Sequence, residues 1–318
     1  MKLRKAYLVG AVLAAYVAVP LLVGGNHYVM SLLVAALIIS GIALAWALLG
    51  NLGGMVSFGH SAFVGVGAYV SALLTMKAGV PVIAAMLLGG VGALLASVVM
   101  LPILRLRGPY FALAILAYSE IFRILATEWT SLTGGAGGLS SVPRLPEALG
   151  FDLGSKLGSY FVILSIVLVF AACYRILRAS HYGIALRAMQ HSEDATRVVG
   201  VNSTLLKAMM LFVSAFMTGV VGAFNVHYIN FLEPDYAFSG LWVTLPIVAG
   251  IFGGYRVIAG PLVGAVSIYM VDQLVFKNLI PSGHQVILGA LLVAMIIVSP
   301  DGLLPLLGRV WVRKHAAA

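Results

Sequence analysis

Ser57 and His60 lie three residues apart and are the residue types of a nucleophile–base pair. At that spacing both side chains leave one face of a helix, so the hydroxyl could pass its proton to the imidazole. Such chemistry also requires a group that orients the base and donors that stabilise an oxyanion. The sequence contains neither Gly-x-Ser-x-Gly nor His-Glu-x-x-His. We therefore predict no catalytic residue and no metal site, with an intramembrane hydrolase using this pair kept as an alternative.

The same two residues have a structural interpretation. Four glycines precede or separate them and would interrupt a helix: Gly50, Gly53, Gly54 and Gly59. In an interrupted helix the hydroxyl and imidazole would satisfy free backbone groups. Because interrupted helices at mid-membrane often line a solute path, Ser57 and His60 also remain candidates for a translocation path.

Three charged residues fall inside apolar segments. Glu120 and Arg123 are three residues apart, a spacing that permits an ion pair on one helical face, and Asp272 has no obvious local partner. Intramembrane charges are costly and indicate function by default. Glu120 and Arg123 are either a structural pair or part of the path. An ion-coupled secondary transporter using Asp272 or Glu120 is thus a second alternative, whereas Glu233 and Asp235 are expected to be solvated at a helix end.

The composition identifies the solvent of these segments as lipid. Of 318 residues, 62% are hydrophobic and 9% are charged, and the mean hydropathy is +1.07, whereas a soluble domain has about 45–50% apolar and about 25% charged residues. The single cysteine, Cys173, excludes an internal disulfide. The net charge of +9 is dispersed between apolar runs, which encodes membrane topology rather than nucleic-acid binding.

Runs of about 20 apolar residues predict an all-α polytopic membrane protein with about ten spans and no second domain within 1–318. The predicted spans are Tyr7–Val23, Val29–Leu49, Val56–Met76, Val82–Leu104, Pro109–Glu128, Ser159–Ile176, Ala208–Phe231, Leu241–Gly254, Gly260–Phe276 and Val286–Pro300. With the N-terminus inside, most of the 19 Lys and Arg residues fall on cytoplasmic segments, as the positive-inside rule requires. Both termini are therefore expected to be cytoplasmic.

Two long polar segments remain outside the spans. Residues 129–158, rich in glycine and proline, are expected to form a periplasmic segment that is either a turn-rich exposed loop or a docking surface. Residues 177–207 are expected to form a cytoplasmic loop containing a short amphipathic helix, which could lie on the membrane surface or fit a groove on a cytoplasmic partner. In that helix Val198 and Val199 would provide apolar contacts, while Glu193, Asp194 and Arg197 would remain solvated. The chain has no Walker A motif, so any ATP must be bound by a partner.

Several motifs resemble those of bacterial ABC importer permeases. Asp194-Ala195-Thr196-x-x-x-Gly200 is similar to the Glu-Ala-Ala-x-x-x-Gly loop of these permeases, although Glu193 could instead take the acidic position. Further stretches resemble the branched-chain amino-acid permeases of the M type: Ser57-Phe58-Gly59-His60-x-Ala62-Phe63, Arg107-Gly108-Pro109-Tyr110-Phe111-Ala112-Leu113, Leu132-Thr133-Gly134-Gly135-x-x-Gly138-Leu139 and Ser180-x-Tyr182-Gly183.

The resemblance implies a permease subunit of the inner membrane that translocates branched-chain or related hydrophobic amino acids. Its partners would be a second permease subunit, two cytoplasmic ATP-binding subunits and a periplasmic substrate-binding protein. The coupling helix, Glu193–Gly200, would dock on the ATPase subunit. Ser57, His60, Tyr110, Glu120 and Arg123 are the candidates for the translocation path, and no cofactor or nucleic acid is expected.

Overall fold

The computed structural model describes residues 14, 16–106, 108–148, 150–281, 283–299 and 301–306. Residues 16–23 are helical. The rest of the first predicted span, Tyr7–Val23, lies almost entirely outside the described residues, as do the basic residues near both termini.

The described chain is almost wholly α-helical. The helices are α1 (His27–Gly53), α2 (His60–Ala78), α3 (Val82–Val98), α4 (Pro109–Glu128), α5 (Thr130–Thr133), α6 (Lys156–Ala179), α7 (His181–His191), α8 (Glu193–Val198), α9 (Ser203–Ile229), α10 (Pro234–Ala237), α11 (Leu241–Gly253), α12 (Gly260–Val271), α13 (Lys277–Leu279) and α14 (His284–Val298). Short 3₁₀ segments are Leu101–Arg105 and Gly135–Gly137, and a π turn is Asp272–Phe276. Four two-residue strands are β1 (Leu139–Ser140), β2 (Glu147–Ala148), β3 (Phe151–Asp152) and β4 (Phe231–Leu232), paired antiparallel as β1–β4 and β2–β3.

Seven helical segments are long and apolar enough to cross a membrane: His27–Gly53, His60–Ala78, Pro109–Glu128, Lys156–Ala179, Ser203–Ile229, Pro234–Gly253 and Gly260–Leu279. Shorter apolar helices occupy two further predicted spans, at Val82–Val98 and Val286–Met295. The polytopic all-α class is therefore confirmed. The count of ten spans and the side of each terminus stay predictions.

The bundle has two ends that differ in their covering segments. At one, called here the α7 end, α7 and α8 lie beside the last turn of α1, where the Gln190 side chain donates to the Asn51 carbonyl. At the other, the β end, residues 129–158 pack over the helices: β1 pairs with β4 after α9, and the Lys77 ammonium at the end of α2 contacts the Ser131 carbonyl at 3.4 Å.

Small residues allow α2, α3 and α9 to pack backbone against backbone in the core. A Cβ at Gly67 on α2 would lie 2.5 Å from the Gly219 Cα on α9. A Cβ at Gly89 on α3 would lie 2.6 Å from the Gly67 carbonyl oxygen. Small residues replace side-chain interdigitation at such crossings, as is typical of helices packed in a membrane.

Two parts of the chain repeat the same plan in opposite directions. α1 and α9 are each 27 residues long and capped by asparagine, Asn26 and Asn202. Each is followed by a residue in the left-handed region, Gly54 at φ 67°, ψ 18° and Asn230 at φ 66°, ψ 18°. A helix break comes next in both cases. α1 ends at the α7 end and α9 at the β end, so these two helices and the breaks that follow them run in opposite directions. In transporters built from inverted repeats, paired helix breaks of this kind surround the transport path.

Candidate functional site

After the break that follows α1, the chain returns into the bundle as a segment without regular secondary structure, residues 55–59. The Trp46 indole N–H donates to the Ser57 carbonyl at 3.0 Å, which holds the segment about two turns from the end of α1. A Cβ at Gly59 would lie 2.6 Å from the Ile115 carbonyl oxygen, so only glycine permits this approach to α4. The interrupted helix inferred from the glycines is thus present, and α2 begins inside the bundle at His60.

Ser57 and His60 do not pair with each other. The Ser57 hydroxyl accepts from the Gly59 N–H at 3.2 Å, whereas His60 Nε2 contacts the Ser214 hydroxyl on α9 at 3.0 Å. Because that hydroxyl donates its proton to the Ala45 carbonyl at 2.9 Å, His60 Nε2 carries the proton. Both side chains are buried against α1 and α9. The nucleophile–base alternative therefore lacks the hydroxyl–imidazole hydrogen bond that it requires. A role for either residue in the translocation path stays a prediction.

An apolar cavity of about 750 Å³ lies on the outer face of α4, near the α7 end of the bundle. Its walls are the irregular segment after α1 and the first two turns of α4: Met55, Val56, Phe58, Pro109, Phe111, Leu113 and Leu116. The Glu193–Lys207 ion pair forms its floor at the α7 end. Tyr110, predicted to lie on the path, is exposed at the start of α4, next to this cavity. An apolar chamber with a charged floor can hold an aliphatic solute but offers no reacting group.

The predicted coupling segment folds as two short helices, each started by a serine cap. Ser180 accepts from the Gly183 N–H and Ser192 from the Ala195 N–H. The two helices connect the end of α6 to the start of α9, so each end of the segment is joined to a membrane-spanning helix. Gly200 makes the final turn at φ 88°, a conformation that favours glycine.

Glu193 is not a solvated residue but forms ion pairs that hold this segment against α9. Its carboxylate accepts from Arg197 and from Lys207, each at 2.8 Å, and the side chains of Glu193 and Lys207 are only 17% and 13% exposed. Burial alone would raise the pKa of Glu193. Hydrogen bonds from Lys207 and Ser203 and the charges of Lys207 and Arg197 outweigh that effect, and the pKa lies below its ordinary value.

The expected solvation of the short helix was wrong for Glu193, whereas Asp194 and Arg197 are exposed as predicted. Val198 and Val199 are 87% and 77% exposed, so the apolar contacts predicted for them stay a prediction. Thr196 is buried, and its hydroxyl donates to the Ser192 carbonyl at 2.7 Å. Helical periodicity did not predict the burial of Glu193, because a six-residue helix is oriented by its caps and by Lys207 on another helix rather than by an apolar stripe.

Glu120 and Arg123 form the predicted pair, and a third residue joins them. Arg123 Nε donates to Glu120 Oε1 at 3.0 Å, and Arg123 Nη1 donates to Asp235 Oδ1 at 2.8 Å. Asp235 on α10 is 80% exposed, as expected of a solvated residue. Its contact with Arg123 was not predicted, because a contact over 112 positions leaves no local signal. Asp272 likewise has a partner that local spacing did not show, since its carboxylate meets His284 Nδ1 at 2.9 Å.

Among the described residues no group of three or more His, Cys, Asp or Glu side chains could hold a metal ion. The arrangement consists of membrane-length helices around an apolar cavity, with the Glu193–Lys207 ion pair in its lining. These features define the class of a membrane transport protein.

Comparison with known proteins gives the family. The profile described as "Branched-chain amino acid transport system / permease component" matches residues 28–296, and the chain belongs to this family. It is therefore a multi-pass inner-membrane permease and not an enzyme.

Individual relatives agree with the family assignment. The chain is 28% identical to the high-affinity branched-chain amino acid transport system permease protein LivM of Escherichia coli K12, over 95% of this chain and 75% of the relative. It is 27% identical to LivM of Salmonella typhimurium LT2, over 93% and 74%. A probable branched-chain amino acid permease LivM of Methanocaldococcus jannaschii is 22% identical, over 71% and 69%. No solved structure matches the chain significantly.

Proposed function

We propose that this chain is one of two permease subunits of an ATP-driven importer for branched-chain or related hydrophobic amino acids. Two cytoplasmic ATP-binding subunits supply the energy, and a periplasmic binding protein delivers the substrate. The chain performs no chemistry and binds no cofactor. It provides one wall of the path and alternates between openings on either side of the membrane.

One observation carries the proposal: Glu193 belongs both to the coupling helix and to the cavity. It is the first residue of α8, and its bond to Lys207 closes the floor of the 750 Å³ cavity. A push on α8 therefore moves the floor without any intervening element. The exposed Val198 and Val199 at the other end of α8 supply an apolar docking surface for the ATPase subunit.

ATP acts through differential affinity for two states. ATP binding stabilises the closed pair of ATPase subunits, and closure displaces the α7–α8 segment docked on each. Because α8 is joined by Gly200 to α9, its displacement is passed to the central helix of the bundle. The cavity then opens or closes at the α7 end.

The topology follows from the same assignment. The α7 end faces the cytoplasm, and the β end, with residues 129–158, faces the periplasm and receives the binding protein. Ten spans place both termini in the cytoplasm. The basic residues of the α7 end, the exposed Arg175 and Arg187 and the half-buried Arg178, agree with this orientation.

Reconstitution of the complete complex in proteoliposomes tests the proposal. Leucine uptake should require ATP on the side of the α7 end and loaded binding protein on the side of the β end, and it should be unaffected by a proton ionophore. Uptake that follows an imposed proton gradient without ATP would contradict the importer and favour the ion-coupled alternative using Asp272 or Glu120.

A charge exchange tests the link between α8 and the cavity. Glu193→Lys and Lys207→Glu alone each place like charges together, so leucine uptake per ATP should fall in both. The double variant restores opposite charges and should recover a large part of the uptake. Asp194→Lys is the matched control, because Asp194 is next to Glu193 in sequence but is exposed. Adding Lys207→Glu to Asp194→Lys should not raise leucine uptake. A double variant no better than the singles would refute the role of this pair.

A further inference from the structure

The Glu120–Arg123–Asp235 cluster lies at membrane depth but is open to its surroundings. Glu120 is the twelfth residue of the 20-residue α4, about 16 Å along a helix of about 30 Å. The side chains of Glu120, Arg123 and Asp235 are 55%, 33% and 80% exposed. Charged groups near the centre of a bilayer are costly unless they face a partner or a water-filled cavity, so this face does not lie against lipid.

α3 provides the contrast. Its outward residues, among them Leu87, Val91 and Leu95, are all apolar, as a lipid-facing surface requires. The exposed face of α4 is interrupted by these charges, with Leu113 and Leu116 on the side of the cavity and Ile121, Ile124 and Leu125 toward the β end. Leu116 lies one turn from Glu120 and lines the cavity. The charged cluster therefore lies one helical turn beyond the apolar residues of α4 that line the cavity.

The cluster has the charges that the head group of an amino acid requires. A guanidinium binds a carboxylate through two parallel hydrogen bonds, and Arg123 is the one cation of the cluster. Two carboxylates surround it, so an excess negative charge remains for an ammonium group. An aliphatic side chain directed along α4 would then contact Leu116, about one turn from Glu120.

Resting on the proposed function, we propose that Glu120, Arg123 and Asp235 bind the zwitterionic head group of the transported amino acid. Arg123 receives the carboxylate, and Asp235 with Glu120 receives the ammonium. Entry of the zwitterion replaces the Arg123–Asp235 bond, so every charge stays paired. Since Arg123 is on α4 and Asp235 on α10, a bound substrate bridges the two elements and its presence is sensed by both.

The experiment uses the complete reconstituted complex with leucine-saturated binding protein. Asp235→Asn and Glu120→Gln should each lower leucine uptake per ATP hydrolysed by about tenfold, while the ATPase rate stimulated by the binding protein stays within about twofold. Asp235→Glu keeps the charge and should recover most of the uptake. Glu128→Gln, at the β end of the same helix, is the matched control and should behave as wild type.

A second measurement is independent of turnover. Leu116→Cys is placed in a Cys173→Ser background, which removes the only native thiol. A water-soluble maleimide should label Leu116→Cys in the assembled complex, and leucine should slow the labelling. Leu87→Cys on α3 is the control for a lipid-facing position and should label poorly with or without leucine.

The outcomes separate this site from the function on which it rests. Unchanged uptake per ATP in both carboxylate variants, or labelling of Leu116→Cys insensitive to leucine, would overturn the site. Loss of the second permease subunit from purified Asp235→Asn and Glu120→Gln complexes would overturn it too, and would make this face a subunit interface. Failure of the wild-type complex to couple ATP hydrolysis to leucine uptake would instead refute the proposed function.

Discussion

Replacing Gly67 by alanine adds one methyl group where two helix backbones touch. A Cβ at Gly67 would lie 2.3 Å from the Gly219 carbonyl oxygen and 2.5 Å from Gly219 Cα, and ordinary van der Waals contact begins at 3.4 Å. The neighbouring backbone must therefore retreat by about 1.1 Å, the difference between the shortest distance and ordinary contact. α3 blocks the retreat, because Gly89 on α3 packs against the same crossing. Overpacking of this kind costs about 1–3 kcal/mol, and backbone rather than a flexible side chain is the obstacle, so we expect the upper half of that range.

Gly289→Ala is the matched control for helix propensity. Gly289 lies within α14, and a Cβ there would meet nothing within 4 Å. Its substitution should change stability by between zero and about 1 kcal/mol in the stabilising direction. The difference between the two variants, about 2–4 kcal/mol, isolates the steric term at the α2–α9 crossing.

Unfolding of the purified complex in detergent, followed by intrinsic fluorescence against heat and against SDS, measures both effects. Gly67→Ala should unfold earlier than wild type in both titrations, whereas Gly289→Ala should unfold with it or later. Equal stability of Gly67→Ala and wild type would refute the close crossing, and so would a loss of the same size in Gly289→Ala.

Three further predictions concern the two ends of the bundle. Glu193→Gln should destabilise the complex by about 1–2 kcal/mol at neutral pH. Because the pKa of Glu193 is lowered in the fold, the difference in thermal stability between variant and wild type should shrink only below about pH 4.5, the ordinary pKa of this carboxyl. A difference that grows on acidification would contradict the ion pairs assigned to Glu193. Gly200→Ala should cost about 1–2 kcal/mol of backbone strain at φ 88° and weaken the stimulation of ATPase activity by loaded binding protein. The control is Gly240→Ala, where φ is −59° and the added methyl group meets open space. Equal stimulation in both variants would argue against a role of the Gly200 turn in coupling. His227→Phe removes the hydrogen bonds of His227 to the Pro143 carbonyl at 2.7 Å and the Ser71 hydroxyl at 2.8 Å. Because the 129–158 segment is then held less firmly, the affinity of the complex for the binding protein, measured by titration, should fall severalfold. An unchanged affinity would argue against docking on that segment.

The amino-acid sequence alone predicted the solvent and the class of fold. Long apolar runs with few charges can be stable only in lipid, where helices satisfy every backbone group internally. Local patterns were also sufficient for the interrupted helix before His60 and for the turn at Gly200, because each depends on the conformational freedom of glycine within a few residues. The chemistry that Ser57 and His60 could perform was not decided locally. Its outcome rested on Ser214, 154 positions away from His60.

Tertiary structure decided which polar residues face which partner. Glu193 is drawn inward because Lys207, on the first turn of α9, approaches it at 2.8 Å, a contact that helical periodicity within 177–207 does not contain. Asp235 joins Arg123 only because the chain re-enters the bundle after α9. Hydrophobicity is a sum over neighbouring residues and can be obtained from sequence. An ion pair requires two side chains within a few ångströms, and only the folded backbone brings together residues that lie so far apart along the chain.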